Sequence, residues 1–209
     1  RAGWAAVVIA LLLAFTLRPI PWADSTGAVY GPISFLCEGD WDYDEFPFLY
    51  EREPLGKHIA WSGSAVRPDP GGERLLSFTG LGSKVLATPA ALLLWPWSGE
   101  SSEISVLRVN QLTVVLSCIA VLWLMLAVLR SWTGSPPPPW TLPALFFGTV
   151  LWPQSRQTLW SNQASMLGIV VVLLVAVALR DKRRAMGPGA GVLLGLGLGQ
   201  AILSRPSAL

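Results

Sequence analysis

The stretch that decides the architecture is Val109-Asn-Gln-Leu-Thr-Val-Val-Leu-Ser-Cys-Ile-Ala-Val-Leu-Trp-Leu-Met-Leu-Ala-Val-Leu129. It holds no charge and sits between Arg108 and Arg130. A helix that crosses a bilayer needs about 20 mostly apolar residues, and this run supplies them. Three further stretches follow on its C-terminal side. Residues 141–155 are uncharged and come after the stiff Ser135-Pro-Pro-Pro-Pro-Trp140; residues 162–179 contain Gly168-Ile-Val-Val-Val-Leu-Leu-Val; residues 187–204 are glycine-rich and uncharged. On the N-terminal side, residues 2–17 form a shorter apolar run. No small-x-small cleavage site follows it, so it reads as an anchor rather than a cleaved signal. The expectation is an all-α, polytopic transmembrane helical bundle with spans near 2–17, 109–129, 141–155, 162–179 and 187–204. Arg1 at the start and a hydrophobic run just before Leu209 predict the N-terminal part of a longer transmembrane domain.

Composition agrees. Of 209 residues, 52% are hydrophobic and 13% charged, with 11 tryptophans and a mean hydropathy of +0.51. A soluble domain carries about 25% charged residues, so this chain lacks the charge to coat a water-facing surface. A net charge of +2, scattered along the chain, excludes nucleic acid as a partner. Two cysteines, Cys37 and Cys118, make no disulfide framework.

Orientation follows from basic residues in the short loops. Arg180, Lys182, Arg183 and Arg184 mark the turn between the fourth and fifth spans as cytoplasmic. Counting back, the turn 154–161 lies outside, the proline turn inside, and the long segment 18–108 outside. The expected location is the cell membrane, multi-pass, with that loop on the periplasmic or extracellular face. Gly187, Gly191, Gly195 and Gly199 recur every four residues along the fifth span, a spacing that predicts close approach of a neighbouring helix.

The outer segment carries the polar chemistry. Twelve of the 13 acids lie between Asp24 and Glu103, and seven crowd into Glu38–Glu53. In Asp40-Trp-Asp-Tyr-Asp44 an extended backbone puts carboxylates on one side and aromatics on the other. Asp44 and Glu45 then lead into Phe46–Tyr50, suited to a short interfacial helix. Closely spaced carboxylates raise one another's pKa, which suits general-base or metal-binding work; a solvated acidic loop is the plainer reading. The lone His58 has no partner at zinc-ligand spacing, while a hard divalent ion, Mg or Mn, on two carboxylates stays open.

Downstream, the turn-rich Ser77–Lys84 leads into Val85–Trp97, too short and too proline-broken to span, and expected as a second interfacial helix with Trp95 and Trp97 at headgroup level. Lys84, Arg108 and Arg156 place three cations on the face of the acids; each alone could simply snorkel. The outer turn Trp152-Pro-Gln-Ser-Arg-Gln-Thr-Leu-Trp-Ser-Asn-Gln163 is a second polar concentration, with Ser161 or Asn162 suited to cap the fourth span.

Gly39-Asp-x-Asp-x-Asp-Glu45 after a first span resembles the first outer loop of the GT-C superfamily, polytopic glycosyltransferases that use polyprenyl-phosphate-linked sugars. The similarity is nearest the bacterial protein mannosyltransferase and aminoarabinose transferase branch. Leu107-Arg-Val-Asn, Thr149-Val-Leu-Trp-Pro-Gln-Ser-Arg-Gln-Thr-Leu-Trp160 and Ser204-Arg-Pro-Ser follow in the matching order. The resemblance implies transfer of a sugar from a polyprenyl-phosphate donor to an envelope acceptor, in contact with membrane lipid. Asp44, with Glu45 beside it, would deprotonate or orient the acceptor. Asp40, Asp42, Trp160 and Asn162 would line the substrate site, and Lys84, Arg108 and Arg156 would hold the lipid phosphate. The chain departs from the family pattern at Leu81-Gly-Ser-Lys-Val and at Asn162-Gln163. A transporter or flippase of lipid-linked sugars would want polar groups within the spans, where Gln200 is the chief candidate. A non-catalytic membrane scaffold that uses the acidic loop to bind a partner is the third reading.

Overall fold

The computed structural model describes residues 23–41, 43, 66–68, 75–77, 80–98, 103–147, 161–180 and 187–204. They form six helices and one small hairpin: α1 (Ala23–Cys37), β1 (Val66–Pro68), β2 (Leu75–Ser77), α2 (Leu81–Ser98), α3 (Glu103–Thr133), α4 (Thr141–Phe147), α5 (Ser161–Arg180) and α6 (Pro188–Leu203). The strands pair antiparallel, Val66 opposite Ser77 and Pro68 opposite Leu75. The rest is helical, as the sequence leads one to expect.

α3 contains the deciding stretch and extends it at both ends to 31 residues, about 46 Å at the α-helical rise. Its portion Arg108–Thr133 is, among the described residues, the one helix long and apolar enough to cross a membrane. Hydroxyls inside it turn back on its own backbone: Thr113 Oγ1 donates to the Val109 carbonyl at 2.7 Å and Ser117 Oγ to that of Val114 at 3.0 Å. An apolar setting leaves a hydroxyl few other acceptors. The helix ends where Gly134, at φ +69, takes the left-handed conformation that glycine adopts without strain. Its N–H closes on the Arg130 carbonyl at 3.0 Å, and four prolines then forbid continuation. Gly39, at φ +84, ends α1 in the same way, donating to the Phe35 carbonyl at 3.1 Å.

The helices pack as a bundle in which α5 meets both α6 and α3, and α2 lies against α1, α3, α5 and α6. The core runs through Val29, Tyr43, Val114, Leu122, Leu142 and Phe146. Much apolar surface stays outward: on α6, Leu196 is 64% and Ile202 70% exposed.

Three expectations are corrected. Among its described residues the segment 18–108 holds two helices: α2 falls where a short helix was expected, whereas α1, with Pro32 inside it, was not expected at all. α2 begins at Leu81, four residues before the expected start at Val85, and continues through Pro89 and Pro96; packing on four neighbours offsets the lost backbone donors. The glycine ladder is the third. A Cβ placed on Gly187, Gly191, Gly195 or Gly199 meets nothing within 4 Å. The close approach of α5 and α6 is made instead by Gly168 and Gly197. A Cβ on Gly168 would collide with the Gly197 carbonyl, and one on Gly197 would lie 2.9 Å from the Gly168 carbonyl. Period four was the right spacing for a packing face, but the neighbour lies on the side of Gly197. The spans expected at 162–179 and 187–204 correspond to α5 and α6; that at 141–155 is helical over α4, and 2–17 lies outside the described residues.

Candidate functional site: the Lys84 corner

Lys84 lies in the first turn of α2, and this part of the chain is glycine-rich for a steric reason. A Cβ on Gly80 would meet the Leu203 and Ser204 carbonyls, and one on Gly82 would strike the Ser204 hydroxyl. The start of α2 is thus seated on the end of α6. Gln200 fastens the joint, its Nε2 donating to the Gly82 carbonyl at 2.9 Å, while Ser165 Oγ donates to the Ala201 carbonyl at 3.4 Å. Gln200, the polar group a transporter would want in its path, is committed to this joint.

From that seat the Lys84 side chain runs across Gly31 of α1. A Cβ there would come within 3.0 Å of Lys84 Cδ and 3.3 Å of Trp41 Cε3, so a larger residue would have to push the stem aside. Beyond it the ammonium lies 5.5 Å from the centre of the Trp41 ring and 5.7 Å from that of Tyr43. Both rings come from the acidic motif, two residues apart, and fall on one side of the chain as the alternation expects.

The turn that carries them is held to α1 at three points. Ser34 Oγ donates to Asp40 Oδ1 at 3.2 Å, Trp41 stacks on Phe35 at 5.0 Å between centroids, and the Tyr43 hydroxyl donates to the Gly27 carbonyl at 2.9 Å. Tyr43 is fully buried and meets Tyr30 edge to face at 6.4 Å.

Lys84 is only 7% exposed. Desolvation lowers its pKa from 10.5 to about 8, which corresponds to about 3 kcal/mol against the charged form. The two aromatic faces together return about 1–4 kcal/mol, the same order as the desolvation cost. Among the described residues no carboxylate supports this cation. Next to it, Ser83 Oγ is buried with no hydrogen-bond partner.

Of the residues the sequence singles out, the structure brings Asp40 and Lys84 into one cluster through Trp41. Arg108 is exposed on α3, and nothing among the described residues joins it to Lys84. Asn162 falls in the first turn of α5. Asp42, Asp44, Glu45, Arg156, Trp160 and His58 lie outside the described residues, as does the helix expected at Phe46–Tyr50. Among the described residues no three His, Cys, Asp or Glu side chains gather as a metal site; the carboxylates considered for a divalent ion, Asp44 and Glu45, are not among them. The sequence reading missed Ser34, Tyr30 and Gly31, because it missed α1. The spacing Gly27-Ala-Val-Tyr-Gly31 was the available signal, two small residues one turn apart.

Comparison with protein-family models, curated proteins and solved structures gives no match to this chain.

Proposed function

We propose that the chain is part of a multi-pass membrane glycosyltransferase of GT-C type, moving a sugar from a polyprenyl-phosphate donor to an envelope acceptor at the outer face. The observation that carries this reading is the Lys84 corner, a buried cation that meets no carboxylate among the described residues and is packed against Trp41 and Tyr43. Tyr43 is the residue before Asp44 in sequence. A cation packed on the aromatics of a motif whose sequence also carries a run of carboxylates suits a reaction in which a hydroxyl must lose a proton while a phosphate leaves.

In this mechanism Asp44, with Glu45 beside it, accepts the proton of the acceptor hydroxyl. That oxygen attacks the anomeric carbon, the bond from that carbon to the phosphate oxygen breaks, and the configuration inverts. Lys84 takes the departing phosphate by charge-assisted hydrogen bonds; stabilising charge where it develops is a large part of such catalysis. Arg108 and Arg156 serve the same anion from the membrane face. The apolar outward surface of α6 and the 20-residue length of α5 support further spans beside α3, with α2 at the interface.

The test uses the complete protein in lipid nanodiscs, given labelled polyprenyl-phosphate sugars and an envelope extract as acceptor. Transfer by the wild type that collapses in Asp44→Asn, with donor binding retained, is the expected result. No transfer from any donor by folded wild type contradicts the reading.

A further inference from the structure

We propose that the Lys84 corner captures a phosphodiester together with a proton, so that ligand binding at this site is coupled to proton uptake. The inference rests on the functional reading above for the identity of the donor, and on the geometry for the coupling.

The ammonium has three N–H donors. Among the described residues it faces two π surfaces and no carboxylate. The stem crosses Gly31, where an added Cβ would lie 3.0 Å from Cδ. The rings are held in place, Tyr43 by the Gly27 carbonyl and Trp41 by Phe35.

Of the elements packed on α2, α1 and its turn carry Asp24, Tyr30, Cys37, Glu38, Asp40 and Tyr43; α3 carries Glu103, Arg108, Cys118 and Arg130; α5 has Arg180 at its far end; α6 has no titratable side chain between Pro188 and Ser204. Among the described side chains no carboxylate pairs with the Lys84 ammonium. Asp40 is engaged by Ser34, and Tyr43 meets the ammonium through its ring. An isolated buried lysine therefore shifts toward the neutral amine, in line with its lowered pKa.

A phosphodiester carries one fixed negative charge through the neutral and mildly alkaline range. Placed against Nζ, it restores the ammonium. Only the protonated lysine offers both the charge and all three donors, so above the lysine's own midpoint each binding event takes one proton from solvent onto Nζ. Binding linked to a group titrating near pH 8 weakens about tenfold between pH 7 and pH 9.

The experiment titrates farnesyl methyl phosphate, a diester whose charge does not change over this range, into the complete protein in phosphatidylcholine nanodiscs at pH 7 and pH 9. Lys84→Arg runs beside the wild type, and calorimetry in two buffers of different ionisation enthalpy counts the protons. A second arm replaces phosphatidylcholine with phosphatidylglycerol and omits the farnesyl diester, which separates a bulk lipid headgroup from the donor as the source of the anion. The expected result is about tenfold weaker binding by wild type at the higher pH, a flat profile for Lys84→Arg, and proton uptake at pH 9. Should the substitution disturb folding, the wild-type proton count decides alone. Equal affinity at both pH values with no proton uptake overturns the coupling and leaves the functional reading standing. Failure of the diester to bind at either pH overturns both.

Discussion

Two cation–π pairs stand in different parts of this bundle and differ in one respect. Arg180, at the end of α5, lies 4.6 Å from the centre of the Trp132 ring, and both residues are exposed. Lys84 lies farther from its two rings, at 5.5 and 5.7 Å, yet is almost wholly buried. The closer pair is the less consequential one. Arg180 keeps its water and gains a modest contact, as an anchor residue does at a membrane interface. Lys84 has lost most of its water without gaining a carboxylate among the described residues, so burial disfavours its charge. Burial without a partner, rather than the aromatic contact itself, marks a place built for something else.

The sharpest way to break this contrast is to remove each cation in turn and measure donor binding. Lys84→Met is expected to weaken binding of a polyprenyl phosphodiester by at least about tenfold, the loss of one charge-assisted contact, while Arg180→Met leaves it unchanged. Equal effects would place Lys84 among ordinary surface anchors.

Stability should not fall with it. Replacing a buried cation that meets no carboxylate among the described residues by an apolar chain of similar length removes the desolvation cost and the ring contacts together, so Lys84→Met is expected to leave stability near neutral pH unchanged or raise it by up to about 2 kcal/mol. Thermal melts in detergent check it, and a lowered midpoint would argue for a purely structural lysine.

The same imbalance sets the pH response. The unfolded lysine keeps its proton to about 10.4, whereas the folded one releases it near 8. Between those values the unfolded state binds more protons, so the Lys84 contribution makes stability rise with pH. Its destabilising effect is fully present below 8. Comparing wild type with Lys84→Met across that window isolates the contribution.

Smaller effects follow from the supports. Tyr43→Phe keeps the ring and loses the hydroxyl bond to Gly27, with an expected cost of about 1 kcal/mol. Trp132→Leu at the exposed pair is expected to cost about 0.5 kcal/mol or less.

How much of this was legible in the sequence differs by region for physical reasons. α3 could be read because an unbroken apolar run of that length has few folded alternatives, and α5 and α6 followed for the same reason. α1 was hidden: it holds Pro32, Gly27 and Gly31, residues that weaken any helical signal, and its helix is stabilised by contacts with the turn after it and with α2. The acidic motif and Lys84 were singled out from charge pattern, but their meeting depends on a glycine 53 positions before the lysine. No local spacing encodes that. The glycine ladder on α6 shows the converse error, where a clean period was present and the neighbour lay on another face.

The most direct test of the central claim, that the Lys84 corner holds the donor's phosphate, uses the chain's own small set of amines. The lysines are Lys57, Lys84 and Lys182, so amine-reactive labelling read by mass spectrometry gives one candidate and two internal controls. With the complete protein in nanodiscs, saturating polyprenyl phosphodiester is expected to suppress labelling of Lys84 by at least about tenfold and to leave Lys57 and Lys182 unaffected. Unchanged labelling of Lys84 at saturation, or equal suppression at all three lysines, contradicts the account.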